Sequence, residues 1–434
     1  MTAMEGRRLH FVGIAGAGMS GLALIAKQLG ATVTGSDRAT AGPYVDRLRA
    51  AGIEPAAGHT AANVPPHAEV VYSSAIPADN PERTTGAPEL HRADFLAELT
   101  EIKPAICVSG THGKTTTTSM IVHALRGCGM DPAYSVGGEV RSTGTNAAWG
   151  DGPYLVVEAD ESDRSLVKLH PRIAVVTNAE LDHHATYGSL RDVLNTFATF
   201  VADADQVIVG DDPNLLALRA DATPFDVPDP DLSGGTVRFT FDGVPVQLGL
   251  PGHHNALNAA AALMACRAAG ADLATAAAAL KDFTGAGRRF EALGETAAGA
   301  RVVDDYAHHP TEVAATIAAA RTLPLEGRIV AVFQPHLFSR TQAEARGFGV
   351  ALAAADAVVV TGIYPARERQ EDFPGVTGEL IAAAARDGGA RDVTWAPTLD
   401  DAYAHLQEAL AAGDLCLTIG AGDVDSLGHR LVTS

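Results

Sequence analysis

Lys114-Thr-Thr-Thr-Thr118 stands directly behind the glycine-bearing turn Gly110-Thr-His-Gly113, and this grouping is suited to holding the phosphates of a nucleotide. Glycines at 110 and 113 let backbone N–H groups approach phosphate oxygens, and a following helix adds favourable partial charge at its N-terminus. Gly110, Thr111, His112 and Gly113 would form the cradle. Lys114 would reach the outer phosphates, and a hydroxyl from Thr115 or Thr116 would ligate Mg²⁺. The usual GxxxxGK[ST] spacing fails, because its first glycine would fall at Val108. A plain Gly/Thr turn is the simpler alternative, but the flanking elements favour the phosphate loop. Ala105-Ile-Cys-Val-Ser109 reads as a short buried strand and Ser119–Leu125 as a helix.

Four further groups could do chemistry. Gly16-Ala-Gly-Met-Ser-Gly21 matches GxGxxG between a predicted strand and helix, with Asp37 ending the next strand. Gly16, Gly18 and Gly21 fit a dinucleotide or the pyrophosphate of a UDP-sugar equally well, and a close strand–helix crossing remains the structural alternative. Glu158-Ala-Asp-Glu-Ser-Asp163 places four carboxylates after an apolar strand, where such groups commonly hold Mg²⁺, unless they form a solvated loop. Asn178-Ala-Glu-Leu-Asp-His-His184 follows another apolar run; magnesium prefers oxygen, so a histidine ligand is not the first choice on chemistry alone. Arg288 and Arg289 lie near the start of the last predicted unit and suit charge stabilisation at a phosphoryl group, or solvation of a loop. A metal pair at His308-His309 is rejected, since neighbours in an extended segment point to opposite sides.

These motifs resemble the Mur ligases, the ATP-dependent amide-forming enzymes of peptidoglycan synthesis, from about residue 9 to about residue 425. The resemblance implies UDP-N-acetylmuramate at Gly16, Gly18, Gly21, Asp37, Ser73, Ser74 and Arg92, although Arg92 could be an ordinary exposed helix residue. It implies ATP at the 110–116 loop with Asn258, Arg289, Asp305, Tyr306 and His308, and metal (Mg²⁺, with Mn²⁺ as a substitute) at Thr115, Glu158 and His183. His254 and Asn255 would support Asn258. Phe333-Gln-Pro-His-Leu-Phe-Ser-Arg340 would meet the amino acid and the muramyl carboxylate through His336 and Arg340. Lys114, His183, Arg289 and Arg340 are then the catalytic candidates. The implied reaction joins L-alanine to the lactyl carboxylate through an acyl phosphate, in the cytoplasm, by a monomer or weak homodimer. A tripeptide-recycling ligase, a nicotinamide oxidoreductase using the 16–21 loop and a non-catalytic nucleotide-binding regulator are the alternatives. The chain departs from the family pattern at Ala185, His253, Ala307 and Leu337. Tyr364-Pro-Ala-Arg-Glu368 also matches but reads equally as a structural loop, and Gly420-Ala-Gly-Asp423 reads as architecture.

The elements needed to position these groups are those of an α/β protein with three domains. A Rossmann-like domain is expected at 1–101, a P-loop ATPase-like domain at 102–287 and a second Rossmann-like domain at 288–434. Helices are expected at 20–29, 88–99, 256–279, 310–321 and 341–354, and a loop or small β excursion at 220–248. A chain of 434 residues is too long for one ordinary core. The net charge of −20 disfavours nucleic acid or an anionic membrane as main partner. Four scattered cysteines, at 107, 128, 266 and 416, suggest a reducing compartment without a disulfide framework. The N-terminus reads as having no signal-peptide core, and no segment reads as a membrane span.

Overall fold

The computed structural model describes residues 3–183 and 186–433. The chain forms two compact units, residues 1–226 with 258–280 and residues 227–257 with 281–434.

The first unit carries two sheets. Its N-terminal sheet is wholly parallel, in the order Ala56–Ala57, Thr32–Asp37, Arg8–Val12, Glu69–Tyr72, Glu89–His91. The second sheet runs Thr223–Phe225, Gln206–Gly210, Pro171–Val176, Ala105–Ser109, Leu155–Glu158, Ala133–Val140, Thr145–Ala148. All its neighbours are parallel except the last pair. Ala105–Ser109 is buried at every position, as a central parallel strand covered on both faces must be. One apolar core joins the two sheets: Phe11, Leu22 and Phe95 belong to the same packed cluster as Cys107, Val157 and Phe197.

The second unit holds a six-stranded sheet in the order Glu291–Glu295, Arg301–Asp305, Leu415–Ile419, Ile329–Phe333, Ala357–Thr361, Val393–Ala396. Only its first pair is antiparallel. Both faces are covered, one by a cluster including Ile317, Phe348 and Ile381, the other by Leu406, Leu427 and Leu431. The expected β excursion is an antiparallel hairpin, Val237–Phe241 with Val244–Leu248.

Several expected boundaries are corrected. The segment 88–99 is not one helix: Glu89–His91 pairs with Val70–Tyr72, and the helix is Arg92–Ile102, opened by His91 Nδ1 accepting from the Ala93 N–H. The helices expected at 20–29 and 341–354 are Ala17–Gln28 and Phe338–Leu352, each starting three residues early because glycine and leucine end the preceding loops. The alanine-rich stretch 256–279, expected as packed helices, is two of them, His253–Ala268 and Leu273–Leu280, separated at Gly270, where φ is +86°.

In all three large sheets the chemistry-bearing segments follow the carboxyl ends of adjacent parallel strands. Ser109, Glu158 and Val176 end three neighbours of the second sheet; Val12, Asp37 and Tyr72 do so in the first. Such edges are where open α/β sheets bind ligands.

Candidate active site

Gly110 and Gly113 take φ of +129° and +81°, so the turn between strand and helix uses the left-handed region twice. A Cβ at Gly110 would collide with Thr177 Oγ1, and one at Gly113 with Asn258 Oδ1. The loop is braced from the next strand. The His112 N–H donates to Asn178 Oδ1 (2.8 Å), Asn178 Nδ2 donates to the His112 carbonyl (3.0 Å), and Thr177 Oγ1 donates to that same carbonyl (2.5 Å). Thr111 Oγ1 donates to the Glu180 carbonyl at 3.1 Å. Thr117 Oγ1 donates to Asn258 Oδ1 at 3.2 Å, which seats Asn258 against the helix behind the loop. Thr177 and Asn178 thus support the loop, a role beyond the sequence expectations, whose one signal is a polar pair ending an apolar strand.

Lys114 Nζ donates to the carbonyls of Gly110 (2.8 Å) and Thr111 (3.0 Å) and to Glu161 Oε1 (3.0 Å). Burial works against its charge, but Glu161 and Asp160 outweigh burial and hold it above the ordinary lysine range. Thr115 Oγ1 donates to Glu158 Oε1 (2.8 Å), and Glu158 Oε2 accepts from the Gly137 N–H (2.7 Å). Thr116 is buried in the same helix turn. Of the two hydroxyls left open by the sequence, it is thus Thr115 that meets the carboxylate. A hydroxyl beside a carboxylate is a hard oxygen pair that fits magnesium. His183, with φ of +53°, brings Nε2 to 3.3 Å from Glu161 Oε1 and 3.6 Å from Asp182 Oδ2. The departure at Ala185, with its neighbour His184, lies outside the described residues.

The first glycine loop is arranged at the edge of the other sheet. Gly13 and Ile14 donate their N–H groups to the Ser36 carbonyl, and Asp37 Oδ2 accepts from the Ala15 N–H at 2.9 Å. Gly16 precedes the first turn of the helix. A Cβ at Gly18 would lie 3.2 Å from Arg92 Nη1, so Arg92 stands over this loop rather than in open solvent. Gly21 is used differently: a Cβ there would lie 2.8 Å from the Ala147 Cβ, making it the point of close helix–strand packing. Ser74 Oγ donates to Asp163 Oδ2 (2.9 Å), and Arg92 Nη2 lies 3.8 Å from Asp160 Oδ2. The acidic segment therefore reaches both edges of the first unit. Ser73 forms the turn before Ile76.

In the second unit, Arg288 is structural: it donates to Asp304 Oδ2 and to the Gly420 and Gly422 carbonyls. The guanidinium of Arg289 lies 4.8 Å from the Tyr306 ring centroid, and that of Arg288 lies 5.1 Å from the same ring. Asp305 accepts from the N–H groups of Phe290 and Ala307, both at 2.8 Å. Burial pushes its carboxyl up to about 6, with Arg289 opposing. Tyr306, His308, His336 and Tyr364 form a row of ring contacts 5.4 to 6.1 Å apart. Arg340, 4 % exposed, donates from Nη1 toward His336 Nδ1 at 3.3 Å. Leu337 adopts φ of +70° and Ala307 is buried. The Tyr364–Glu368 loop has a definite job: Glu368 accepts from the Ser339 N–H and Oγ, fixing the start of the Arg340 helix. His253 Nε2 lies 2.7 Å from the Val227 carbonyl, and Asn255 Nδ2 donates to the Pro251 carbonyl. Desolvation pulls the His254 imidazole down to about 4.

Family models match three consecutive stretches: "Mur ligase family, catalytic domain" at 8–103, "Mur ligase middle domain" at 108–266 and "Mur ligase, glutamate ligase domain" at 288–422. The chain belongs to the Mur ligase family. Among curated Mur ligases, the UDP-N-acetylmuramate–L-alanine ligase of Streptomyces griseus is 44 % identical over 99 % of this chain and 97 % of that protein. That of Rubrobacter xylanophilus is also 44 % identical, over 98 % of this chain and 99 % of its own. A crystal structure of the UDP-N-acetylmuramate–alanine ligase of Thermotoga maritima superposes with a TM-score of 0.83 at 29 % identity, covering 98 % of each chain. A murein peptide ligase from Psychrobacter arcticus gives 0.72 at 25 % identity, over 99 % of this chain and 98 % of that one. The three-domain Mur ligase architecture expected from the motifs is present.

Proposed function

We propose that the chain is an ATP-dependent ligase joining L-alanine to the lactyl carboxylate of UDP-N-acetylmuramate, a step of peptidoglycan synthesis. One arrangement supports it most directly: Lys114 and the Thr115–Glu158 pair lie under a doubly left-handed glycine loop at the carboxyl end of a central parallel strand. The alanine-ligase relatives, about 44 % identical along the whole chain, favour this activity over tripeptide recycling and over a nicotinamide oxidoreductase.

We assign residues 1–101 to the sugar nucleotide, 102–287 to ATP and 288–434 to the amino acid and closure. Gly16, Gly18, Asp37, Ser73, Ser74 and Arg92 are assigned to UDP-N-acetylmuramate, with Gly21 supporting the helix. The 110–116 loop, Asn258, Arg289, Asp305, Tyr306 and His308 are assigned to ATP, and His336 and Arg340 to the amino acid and the muramyl carboxylate. Thr115, Glu158 and His183 are the candidates for holding Mg²⁺, with Mn²⁺ as a substitute. When bound there, the metal would offset charge on the phosphate oxygens.

A carboxylate is a poor acylating agent because oxide is a poor leaving group. Attack of a lactyl oxygen on the γ-phosphorus releases ADP and converts that oxygen into part of a phosphate leaving group. The amine of L-alanine then attacks the acyl carbon, and phosphate departs with the bridging oxygen. Lys114 and Arg289 supply positive charge where negative charge develops, so no nucleophilic side chain is required. Among the described residues no helix is long and apolar enough to cross a membrane. We place the enzyme in the cytoplasm as a monomer or weak homodimer. ADP release measured with UDP-N-acetylmuramate and L-alanine, glycine, serine or the tripeptide tests this: fastest turnover with the tripeptide would replace it by the recycling activity, and no amine-dependent release would remove it.

A further inference from the structure

Glu161 is one of three carboxylates of the acidic segment, with Asp160 and Asp163, to which the family resemblance gives no task. It is 2 % exposed, the most enclosed carboxylate of the four between 158 and 163. Lys114 Nζ lies 3.0 Å from its Oε1 and 2.8 Å from its Oε2, and His183 Nε2 lies 3.3 Å from Oε1. Its place is fixed from behind. Tyr187, 1 % exposed, donates its hydroxyl to the Glu161 carbonyl at 2.6 Å, and the Arg164 N–H donates to the same oxygen at 3.0 Å. Thr186 Oγ1 donates to the Ser162 carbonyl at 2.7 Å, and Arg164 Nη2 donates back to the Thr186 carbonyl at 3.0 Å. The two strand-end segments that carry Glu158 and His183 are thus locked together, with the Glu161 carboxylate pointing at Lys114.

The ammonium has three protons, and the protein satisfies all of them with the Gly110 carbonyl, the Thr111 carbonyl and Glu161. For Lys114 to contact a phosphate oxygen, one of these acceptors must give way. The two carbonyls belong to the loop that shapes the phosphate cradle. Glu161 is the only one of the three that carries charge, so it both competes with phosphate for Lys114 and repels it. It also sets where the ammonium and the imidazole stand relative to each other.

Resting on the ligase reading above, we propose that Glu161 is a positioning residue: its carboxylate holds Lys114 and His183 in one arrangement and yields Lys114 to the terminal phosphate of the nucleotide. Two consequences have opposite signs. Removing the charge relieves competition and repulsion, so nucleotide binds more tightly. It also releases Lys114 and His183 from a common anchor, so turnover falls. A residue that only stabilised the fold would weaken both.

The test is Glu161→Gln, which keeps the shape and removes the charge. Calorimetry with ATP in the presence of a chelator should show affinity raised at least about fivefold. At saturating MgATP, UDP-N-acetylmuramate and L-alanine, kcat should fall at least about tenfold without a rise in the KM for ATP. Unchanged or weaker metal-free ATP binding in a variant that melts like the wild type overturns the proposal. If Glu161→Gln is poorly folded, Glu161→Asp decides: it keeps the charge but is one methylene too short to reach both partners. Metal-free affinity should then stay at the wild-type value while kcat falls, and a wild-type kcat overturns the proposal. Wild-type protein that binds no ATP would instead remove the ligase reading itself.

Discussion

Thr115 Oγ1 donates to Glu158 Oε1 at 2.8 Å, joining the first turn of the phosphate-loop helix to the end of the neighbouring parallel strand. Because Gly137 holds the other carboxylate oxygen, Glu158 has one fixed face toward the loop. Glu158→Gln keeps both hydrogen-bonding partners within reach but loses the charge. Turnover should fall about 10²-fold at low millimolar Mg²⁺, and part of it should return as Mg²⁺ is raised. The measurement is initial rate against metal concentration; a variant with the wild-type metal curve would rule out Glu158 as a ligand.

Replacing Lys114 tests both catalysis and burial. Lys114→Ala should lower turnover at least ~10²-fold, as expected on losing one preorganised charge contact. Folding should not be indifferent to it, because Glu161 would remain buried without its cation, at a cost of ~3 kcal/mol. Adding Glu161→Gln to Lys114→Ala should recover much of that stability and none of the turnover. Urea unfolding of the three proteins reads this directly, and equal stability of all three would mean that the pair contributes nothing.

The sugar-nucleotide assignment turns on Asp37. Its carboxylate accepts from the N–H groups of Ala15 and Ala39, so it shapes the glycine loop to which we assign the sugar nucleotide. Asp37→Ala should weaken UDP-N-acetylmuramate binding at least ~10-fold, the scale of a lost charged hydrogen bond, and leave ATP binding nearly intact. Calorimetry with each ligand separates the two. Loss of ATP binding with the sugar nucleotide retained would reverse the assignment, and tight NADH binding would revive the oxidoreductase.

How much of this was legible in the sequence follows from how local each determinant is. Gly110, Gly113 and Lys114 announce themselves because their roles are set within a few residues of chain. Several strands buried on both faces were equally plain, since Ile329–Phe333 is uniformly apolar and Leu415–Ile419 is apolar but for Thr418. Edge strands were not: Ala56–Ala57 has two residues and Glu291–Glu295 is mostly exposed, so neither shows a pattern. At the site, the roles that escaped are all long-range. Nothing near Glu161 in sequence says that Lys114, 47 positions away, is its partner, and Gly21 looks like a loop residue until Ala147 is packed on it.

The Asp305 carboxyl gives a pH signature. Burial lifts it to about 6 in the native state, while in the unfolded chain it titrates near its ordinary value of about 4. Between those values the native state holds more protons, so this group makes the protein more stable as pH falls from 6 toward 4 and less so as pH rises. Asp305→Asn abolishes that contribution. The stability of the wild type minus that of the variant should therefore be greater at pH 4.5 than at pH 7, by up to ~2 kcal/mol. Denaturant titrations at the two pH values check the sign, and an increase in that difference with pH would show that Arg289, rather than burial, dominates.

The chemistry itself is open to an isotope test. If an acyl phosphate forms, a lactyl oxygen becomes the bridge to phosphorus and leaves with it when the amine attacks. Substrate carrying heavy oxygen in the lactyl carboxylate should give one labelled oxygen per released phosphate, only with MgATP and L-alanine present. Adenylation would instead give AMP and pyrophosphate, with the label in AMP. In our assignment Lys114, bonded to the Gly110 carbonyl of the loop, and the Thr115–Glu158 pair serve a terminal phosphate, and Arg289 adds a further cation. The expected products are ADP and singly labelled phosphate. Unlabelled phosphate, or AMP, would mean that the carboxylate is activated by another route even though the fold is that of a Mur ligase.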